Sequence, residues 1–238
     1  MQSRYILLFA LLAFGQVSAQ DTLPEKRLPC ILFPSPMYDH NWQFSIGFSS
    51  TTMPEDITEE ARVRAPAGDW RILRKLGSHF HLDGRVLFQV VQNHLAAGLR
   101  WSTKLNKHFY VSAGDDMAFW FGKLEVAGFD SKGSGWMNYP NVSVGYRTKS
   151  DLLFTLKAEA MINTTYTFTN GGYEISKDQN FFNGFAYTVA LEQPFYHRKH
   201  LSLSFTAMYA DFFWETWSLF ETFDRKIFYP QITVGFII

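Results

Sequence analysis

The chain has 238 residues, of which 47% are hydrophobic, 18% aromatic and 18% charged. Lys and Arg together number 22, as do Asp and Glu, so the formal net charge is zero. This balance excludes the strongly basic surface that nucleic-acid binding requires, and no nucleic-acid partner is expected. The only cysteine, Cys30, cannot form an internal disulfide.

The first nineteen residues have the features of a secretory signal. Arg4 precedes an apolar run over residues 5–14, and small residues suited to signal peptidase lie at 17–19. The alternative is a membrane anchor, but the run is far shorter than the ~20 residues of a spanning helix. We therefore predict a signal peptide over residues 1–19. Cleavage before Gln20 resembles that of secreted proteins from Bacteroidota.

Residues 20–40 and residues 41–238 differ in pattern. The first stretch holds four of the nine prolines, and we predict an irregular periplasmic N-terminal segment there. From residue 41 onward, apolar side chains alternate with small or polar ones, which is the period of a β-strand. The first such strand places Trp42, Phe44, Ile46 and Phe48 on one face and Gln43, Ser45, Gly47 and Ser49 on the other.

Eight segments of the chain alternate in this way. They cover residues 42–49, 85–103, 108–114, 141–147, 152–163, 186–192, 201–209 and 226–238. Asp83–Gly84 is a hairpin turn signal, so we interpret residues 51–84 as a loop hairpin and place a bulge near Val90 in a long second strand. A ten-stranded barrel would need a further turn near Asn93–His94, where "NHLAA" is a poor turn sequence.

The connections between these segments alternate in length. "LNK", "TKSD" and "YHRKH" are short and polar, whereas the links around 50–85, 115–137, 167–182 and 211–226 are long. Short turns at one end, together with both termini, and long loops at the other are typical of bacterial outer-membrane barrels. We predict an all-β fold over residues 41–238, an eight-stranded antiparallel up-and-down transmembrane β-barrel with short periplasmic turns and long extracellular loops.

A soluble barrel of the lipocalin type is the alternative, and its apolar faces would point inward. The polar faces of this chain mix charged residues with glycines, which suits a narrow interior. The apolar faces carry aromatic residues near the short turns, as a membrane interface requires. Seven side chains are predicted to face lipid: Trp42, Leu99, Val144, Leu156, Val189, Phe205 and Val234.

In its pattern, although not in a diagnostic motif, residues 41–238 resemble the small outer-membrane barrels of Gram-negative bacteria, the OmpA and OmpX type. The resemblance implies location in the bacterial outer membrane and contact with outer-membrane lipid. It also implies that the barrel-assembly machinery recognises the last strand, "KIFYPQITVGFII". Such signals typically end on an aromatic residue, whereas here Phe236 lies two residues before the end.

Charged residues on the polar faces point to a buried network that closes the lumen. Lys157 and Glu159 lie two apart on one strand face, and other strands supply partners. The predicted lumen network comprises Arg100, Arg147, Lys157, Glu159 and Glu192.

The long connection "ADFFWETWSLFETFDRK" over residues 210–226 is too aromatic for a plain solvent loop. Some of these rings would form an aromatic girdle, and the excess predicts an exposed surface for a protein partner or a hydrophobic ligand. The predicted surface comprises Phe212, Phe213, Trp214, Trp217 and Phe220.

The search for chemistry is mostly negative. There is no nucleotide loop, G-x-S-x-G or H-E-x-x-H motif. His79 and His81 share a strand face but lack a third metal ligand, His94 has no serine beside it, and Asp115 and Asp116 lie where a strand enters a loop. No catalytic residue, metal or cofactor is predicted.

Three functions remain open at this point. The favoured one is a structural or surface-binding barrel with a lumen filled by side chains. The alternatives are a lipid-modifying enzyme of the outer membrane and a narrow pore for small or hydrophobic solutes.

Overall fold

The computed structural model describes most of the chain. It covers residues 30–32, 34, 42–55, 63–126, 129–175, 180–195, 199–219 and 225–238. The predicted signal peptide and most of residues 20–40 lie outside these ranges. Within them, no helix has the length and apolar character needed to cross a bilayer.

The described residues form eleven strands and one 3₁₀ helix at Trp214–Leu219. The strands are β1 (Trp42–Thr52), β2 (Arg64–Lys75), β3 (Phe80–Phe88), β4 (Gln92–Lys104), β5 (Phe109–Val126), β6 (Phe129–Arg147), β7 (Leu153–Asn170), β8 (Tyr173–Ile175), β9 (Phe182–Phe195), β10 (Lys199–Ala210) and β11 (Ile227–Ile237).

Ten of these strands close into an antiparallel barrel. The ring order is β1-β2-β3-β4-β5-β6-β7-β9-β10-β11, and β11 pairs with β1. The short β8 only extends the far end of β7, where Phe168 pairs with Ile175. The prediction of an all-β antiparallel barrel is therefore confirmed, but the predicted number of eight strands is wrong.

The two additional strands lie in the segment that was expected to form a loop. β2 pairs with β3 from Gly68 opposite Phe88 to Lys75 opposite His81. The turn after β3 lies at 89–91, just before Asn93–His94, where a ten-stranded barrel was expected to need a turn. Asp83–Gly84 does not turn but lies within β3. Pairing on both sides satisfies the backbone N–H and C=O groups of this segment.

The side chains alternate between the lumen and the outer surface. In β1, Trp42, Phe44, Ile46 and Phe48 are 44–53% exposed, whereas Gln43, Ser45, Ser49 and Thr51 are buried. Leu99, Val144, Leu156, Val189 and Phe205 also lie on the outer face and are exposed. The outer face of the barrel is therefore apolar, the reverse of a soluble barrel.

The connections define two ends of the barrel. The short-turn end carries the links 76–79, 105–108 and 148–152, the end of β9, the start of β10 and the last residue of the chain. The loop end carries the link 89–91, the ends of β1, β5, β7 and β10, and the starts of β2, β6, β9 and β11. β5, β6 and β7 have 18 to 19 residues and extend farther toward the loop end than their neighbours.

Candidate functional site

The lumen is filled at the loop end by an aromatic plug, which we define as Phe212, Phe213, Trp214 and Trp217. Each of these side chains is at most 3% exposed. The four plug residues were expected on an exposed surface. Instead, the segment after β10 enters the barrel, where the rings are shielded from water. The fifth predicted residue, Phe220, lies outside the described residues.

Three of the four plug rings pack on an aromatic ring of the barrel wall. Phe212 stacks on Tyr166 with 4.9 Å between ring centroids, and Phe213 lies 4.7 Å from Tyr229. Trp214 lies over His94, with the ring centroids 4.9 Å apart. Such aromatic pairs stabilise packing beyond the area they bury.

Two glycines of the wall make room for Trp217. A Cβ atom at Gly133 would lie 2.7 Å from Cε3 of the indole, and a Cβ atom at Gly122 would overlap the same ring. The absence of side chains at these two positions of β5 and β6 thus leaves space for the indole. This correspondence explains why small residues interrupt the large ones in both strands.

The backbone of the plug segment is held by polar side chains from the wall. Asn183 donates from Nδ2 to the Phe212 carbonyl at 2.7 Å, and Phe212 N donates to Asn183 Oδ1 at 2.8 Å. Gln92 Nε2 donates to the Glu215 carbonyl at 3.0 Å. The plug is therefore a specific structure and not a loose collection of rings.

Glu215 brings a carboxyl group into this apolar surrounding. Thr51 Oγ1 donates to its Oε1 at 3.2 Å, while Oε2 has no hydrogen-bond partner among the described residues. Burial raises the pKa of Glu215 to about 8, and the hydrogen bond from Thr51 only partly opposes this. The carboxyl is consequently mostly protonated at neutral pH.

The short-turn end of the lumen is filled by residues 30–32. Ile31 N and Leu32 N donate to Glu192 Oε1 at 2.8 and 3.1 Å, and Arg100 Nη1 donates to the Ile31 carbonyl at 2.9 Å. The Ile31 side chain is buried with Leu73 and Ile237. These residues were expected in an irregular segment outside the barrel, but charged wall residues hold their backbone inside it.

One wall of the lumen, formed by β2 and β3, carries an excess of positive charge. Asp69 accepts from Arg85 Nη2 at 2.6 Å and from Arg71 Nε at 3.2 Å. Ser49 Oγ donates to the same carboxylate at 2.9 Å. One carboxylate thus serves two guanidinium groups. We call Asp69, Arg71 and Arg85 the cationic wall.

The wall formed by β5 and β7 carries the opposite excess. Lys157 Nζ lies 2.7 Å from Glu159 Oε1 and 3.8 Å from Asp116 Oδ2. Asn141 Nδ2 donates to Asp116 Oδ2 at 3.1 Å. Here one ammonium group serves two carboxylates. We call Asp116, Lys157 and Glu159 the acidic wall.

The five charges predicted from sequence lie at more than one place in the lumen. Lys157 and Glu159 pair with each other. Arg100 and Glu192 meet at residue 31, where Arg100 donates to its carbonyl and Glu192 accepts from its N–H, and Arg100 also pairs with Asp83. The guanidinium carbon of Arg147 lies 5.6 Å from the Tyr110 ring centroid near the short-turn end.

The cationic wall and Asp83 were missed because residues 51–84 were assigned to a loop. The signal was present in the sequence, since Asp69, Arg71 and Leu73 alternate with Trp70 and Ile72.

A cavity of about 110 Å³ lies between the plug and residues 30–32. Both charged walls border it, Phe213 and Trp214 lie on its loop-end side, and Leu32 lies on its short-turn side. Polar residues from the remaining strands complete it: His94, Tyr139, Thr188, Ser204, Thr206 and Gln231.

The described residues do not form a recognisable catalytic centre. Ser102 Oγ lies 3.4 Å from His81 Nδ1, but Ser102 is only 1% exposed and no substrate can reach it. Asp115 and Asp116 do not act as a pair, because neighbouring residues of a strand point to opposite faces. No group of three or more His, Cys, Asp or Glu in the described ranges could hold a metal ion.

No family model and no curated protein match the chain. Among solved structures, it is similar to the KdgM porin, with 12% identity, a TM-score of 0.40, and coverage of 81% of this chain and 97% of that chain. It is also similar to the translocator domain of the autotransporter NalP from Neisseria meningitidis, with 8% identity, a TM-score of 0.47, and coverage of 84% of this chain and 88% of that chain. For Ail, the attachment invasion locus protein of Yersinia pestis, the identity is 9%, the TM-score is 0.27, and the coverage is 83% of this chain and 97% of that chain. Since all three TM-scores are below 0.5, these similarities support no conclusion about this chain.

Proposed function

We propose that the protein is an integral β-barrel of the bacterial outer membrane whose lumen is closed at rest. One observation carries this proposal: the outer face of the ten-stranded ring is apolar. Exposed Leu, Val, Ile and Phe residues cover mid-strand positions all around the ring, among them Ile46, Leu82, Leu95, Leu156 and Phe205. An apolar surface of this extent needs a hydrocarbon environment.

Aromatic side chains mark two levels of the outer face. Trp42, Phe109 and Tyr146 lie near the short-turn end. Phe121, Trp136 and Phe182 lie toward the loop end. Two such levels are typical of the interfaces of an outer-membrane barrel, with the short turns in the periplasm. Outer-membrane lipid and the barrel-assembly machinery are the partners that follow from this proposal.

The closed lumen is supported by the residues at its two ends. Trp217 and Phe213 are fully enclosed at the loop end, and Ile31 is enclosed at the short-turn end. A barrel filled in this way stabilises the membrane or positions its loops without conducting ions.

Reconstitution tests both parts of the proposal. The refolded protein should associate with lipid vesicles on flotation and migrate differently on a gel with and without boiling. It should show no steady conductance in a planar bilayer. A protein that stays monomeric in buffer without detergent would contradict the membrane assignment, and steady conductance would contradict the closed lumen.

A gated passage for small polar solutes is a second candidate function. It is favoured by the cavity with charged walls, which a purely structural barrel does not need. The plug that covers it comes from a single connection between two strands. Conductance that appears only when the plug is disrupted would support this function.

A further inference from the structure

The β2 part of the cationic wall faces the β7 part of the acidic wall across the lumen. In the ring of ten strands, β2 and β7 are five steps apart in either direction. Arg71 on β2 and the Lys157–Glu159 pair on β7 therefore lie on opposite sides of the cavity that both border.

The charges on each wall do not cancel locally. Two guanidinium groups share Asp69, which leaves a formal excess of one positive charge. Lys157 is shared by Asp116 and Glu159, which leaves an excess of one negative charge. The Arg100–Asp83 pair is balanced and does not change this. A dipolar occupant can complement both walls at once, whereas a simple anion or cation complements only one.

An unpartnered polar group also borders the cavity. His94 is only 5% exposed, and its Nδ1 has no hydrogen-bond partner among the described residues. Its Nε2 lies 3.3 Å from the Tyr139 hydroxyl. A buried polar atom without a partner is costly unless something binds it. The ring of Trp214 lies over the imidazole, with 4.9 Å between the ring centroids.

The size of the cavity restricts the occupant. A cavity of about 150 Å³ accepts benzene, with its six non-hydrogen atoms. The volume here is about 110 Å³. The occupant is therefore a small molecule of at most about six non-hydrogen atoms.

We propose that this cavity binds a small amino-carboxylate zwitterion, with its carboxylate toward Arg71 and Arg85 and its ammonium toward Asp116 and Glu159. The inference goes beyond the proposed function, because it requires the folded barrel but neither conductance nor a particular membrane.

The test uses β-alanine, a zwitterion with six non-hydrogen atoms. The barrel is refolded in detergent with labelled β-alanine present, so that the plug does not limit entry, and retention is measured by equilibrium dialysis. We expect saturable retention. Propionate and propylamine, which carry one charge each, should compete at least about tenfold more weakly. Equal competition by all three compounds, or no saturable retention, would overturn the proposal.

Variants of the two walls locate the binding. Asp116→Asn removes the excess negative charge while leaving the Lys157–Glu159 pair, and Arg71→Gln removes the excess positive charge while leaving the Asp69–Arg85 pair. Each should weaken β-alanine retention by about tenfold. Asp115→Asn, which removes the same charge from the outer face of β5, should leave retention unchanged.

Heat-dependent migration shows which variants fold, and each folded wall variant is informative by itself. Unchanged retention in a folded wall variant would overturn the proposal. A wild-type barrel that folds and inserts but retains no β-alanine would contradict the zwitterion site and leave the proposed function standing.

Discussion

Glu192 Oε1 accepts a hydrogen bond from Ile31 N at 2.8 Å, although 161 positions separate the two residues in the chain. The carboxylate belongs to β9 and is fully buried, and it accepts from Leu32 N as well. The N-terminal residues at the short-turn end are therefore held by the barrel itself.

Glu192→Ala should destabilise the folded protein. The change leaves one buried and one partly buried backbone N–H group without their acceptor, which costs about 2–6 kcal/mol in total. Urea titration followed by heat-dependent gel migration measures the loss. Gln193→Ala, one residue further on the outer face of β9, is the control and should change stability little. Equal stability of the two variants would show that residues 30–32 are not held by this carboxylate.

Leu156→Arg should destabilise the barrel in lipid. Leu156 is 60% exposed on the outer face of β7, and an arginine near the bilayer midplane costs about 2–4 kcal/mol. Thr167→Arg, on the same strand and face but closer to the loop end, should cost less because its charge reaches the interface. The measurement is the folded fraction in vesicles as urea increases. An unaffected Leu156→Arg variant would argue against the membrane assignment.

Gly122→Ala should open the plug. A methyl group at this position overlaps the Trp217 indole, so the ring must leave its place between β5 and β6. We expect conductance steps in planar bilayers that the wild type lacks. Gly77→Ala is the matched control, because a Cβ atom there meets nothing within 4 Å. A closed Gly122→Ala barrel with Trp217 fluorescence unchanged would contradict this account of the plug.

The plug should weaken as the pH rises. Burial raises the pKa of Glu215 from its ordinary 4.5 to about 8 in the folded protein. The folded state therefore holds a proton that the free segment releases, and its stability is greatest below the ordinary pKa. Stability is then lost as the pH rises through about 8.

Conductance recorded between pH 5 and 9 gives the readout, with openings expected to become more frequent toward alkaline pH. Glu215→Gln carries no titratable group at this position and should remove the dependence. A pH response that persists unchanged in Glu215→Gln would assign it to another residue.

The alternation of side chains could be predicted from the sequence because it is a local property. In a strand, neighbouring residues point to opposite faces whatever lies beside them. The outer positions of Leu156 and Phe205, and the inner positions of Lys157 and Glu159, follow from that period alone. The same reasoning indicated a closed barrel, because polar and apolar faces recur along most of the chain.

The strand number, the charge pairing and the plug were decided only by the tertiary structure. Asp69 and Arg71 alternate with Trp70 and Ile72, but whether such a segment joins the barrel or forms a hairpin outside it depends on its partner strands. Whether Trp217 is exposed or buried depends on the space above Gly122, nearly a hundred positions earlier. The hydrogen bond between Ser49 and Thr233 joins the first and last strands across 184 positions. Local periodicity carries no information about such contacts, because they depend on which strands meet when the ring closes.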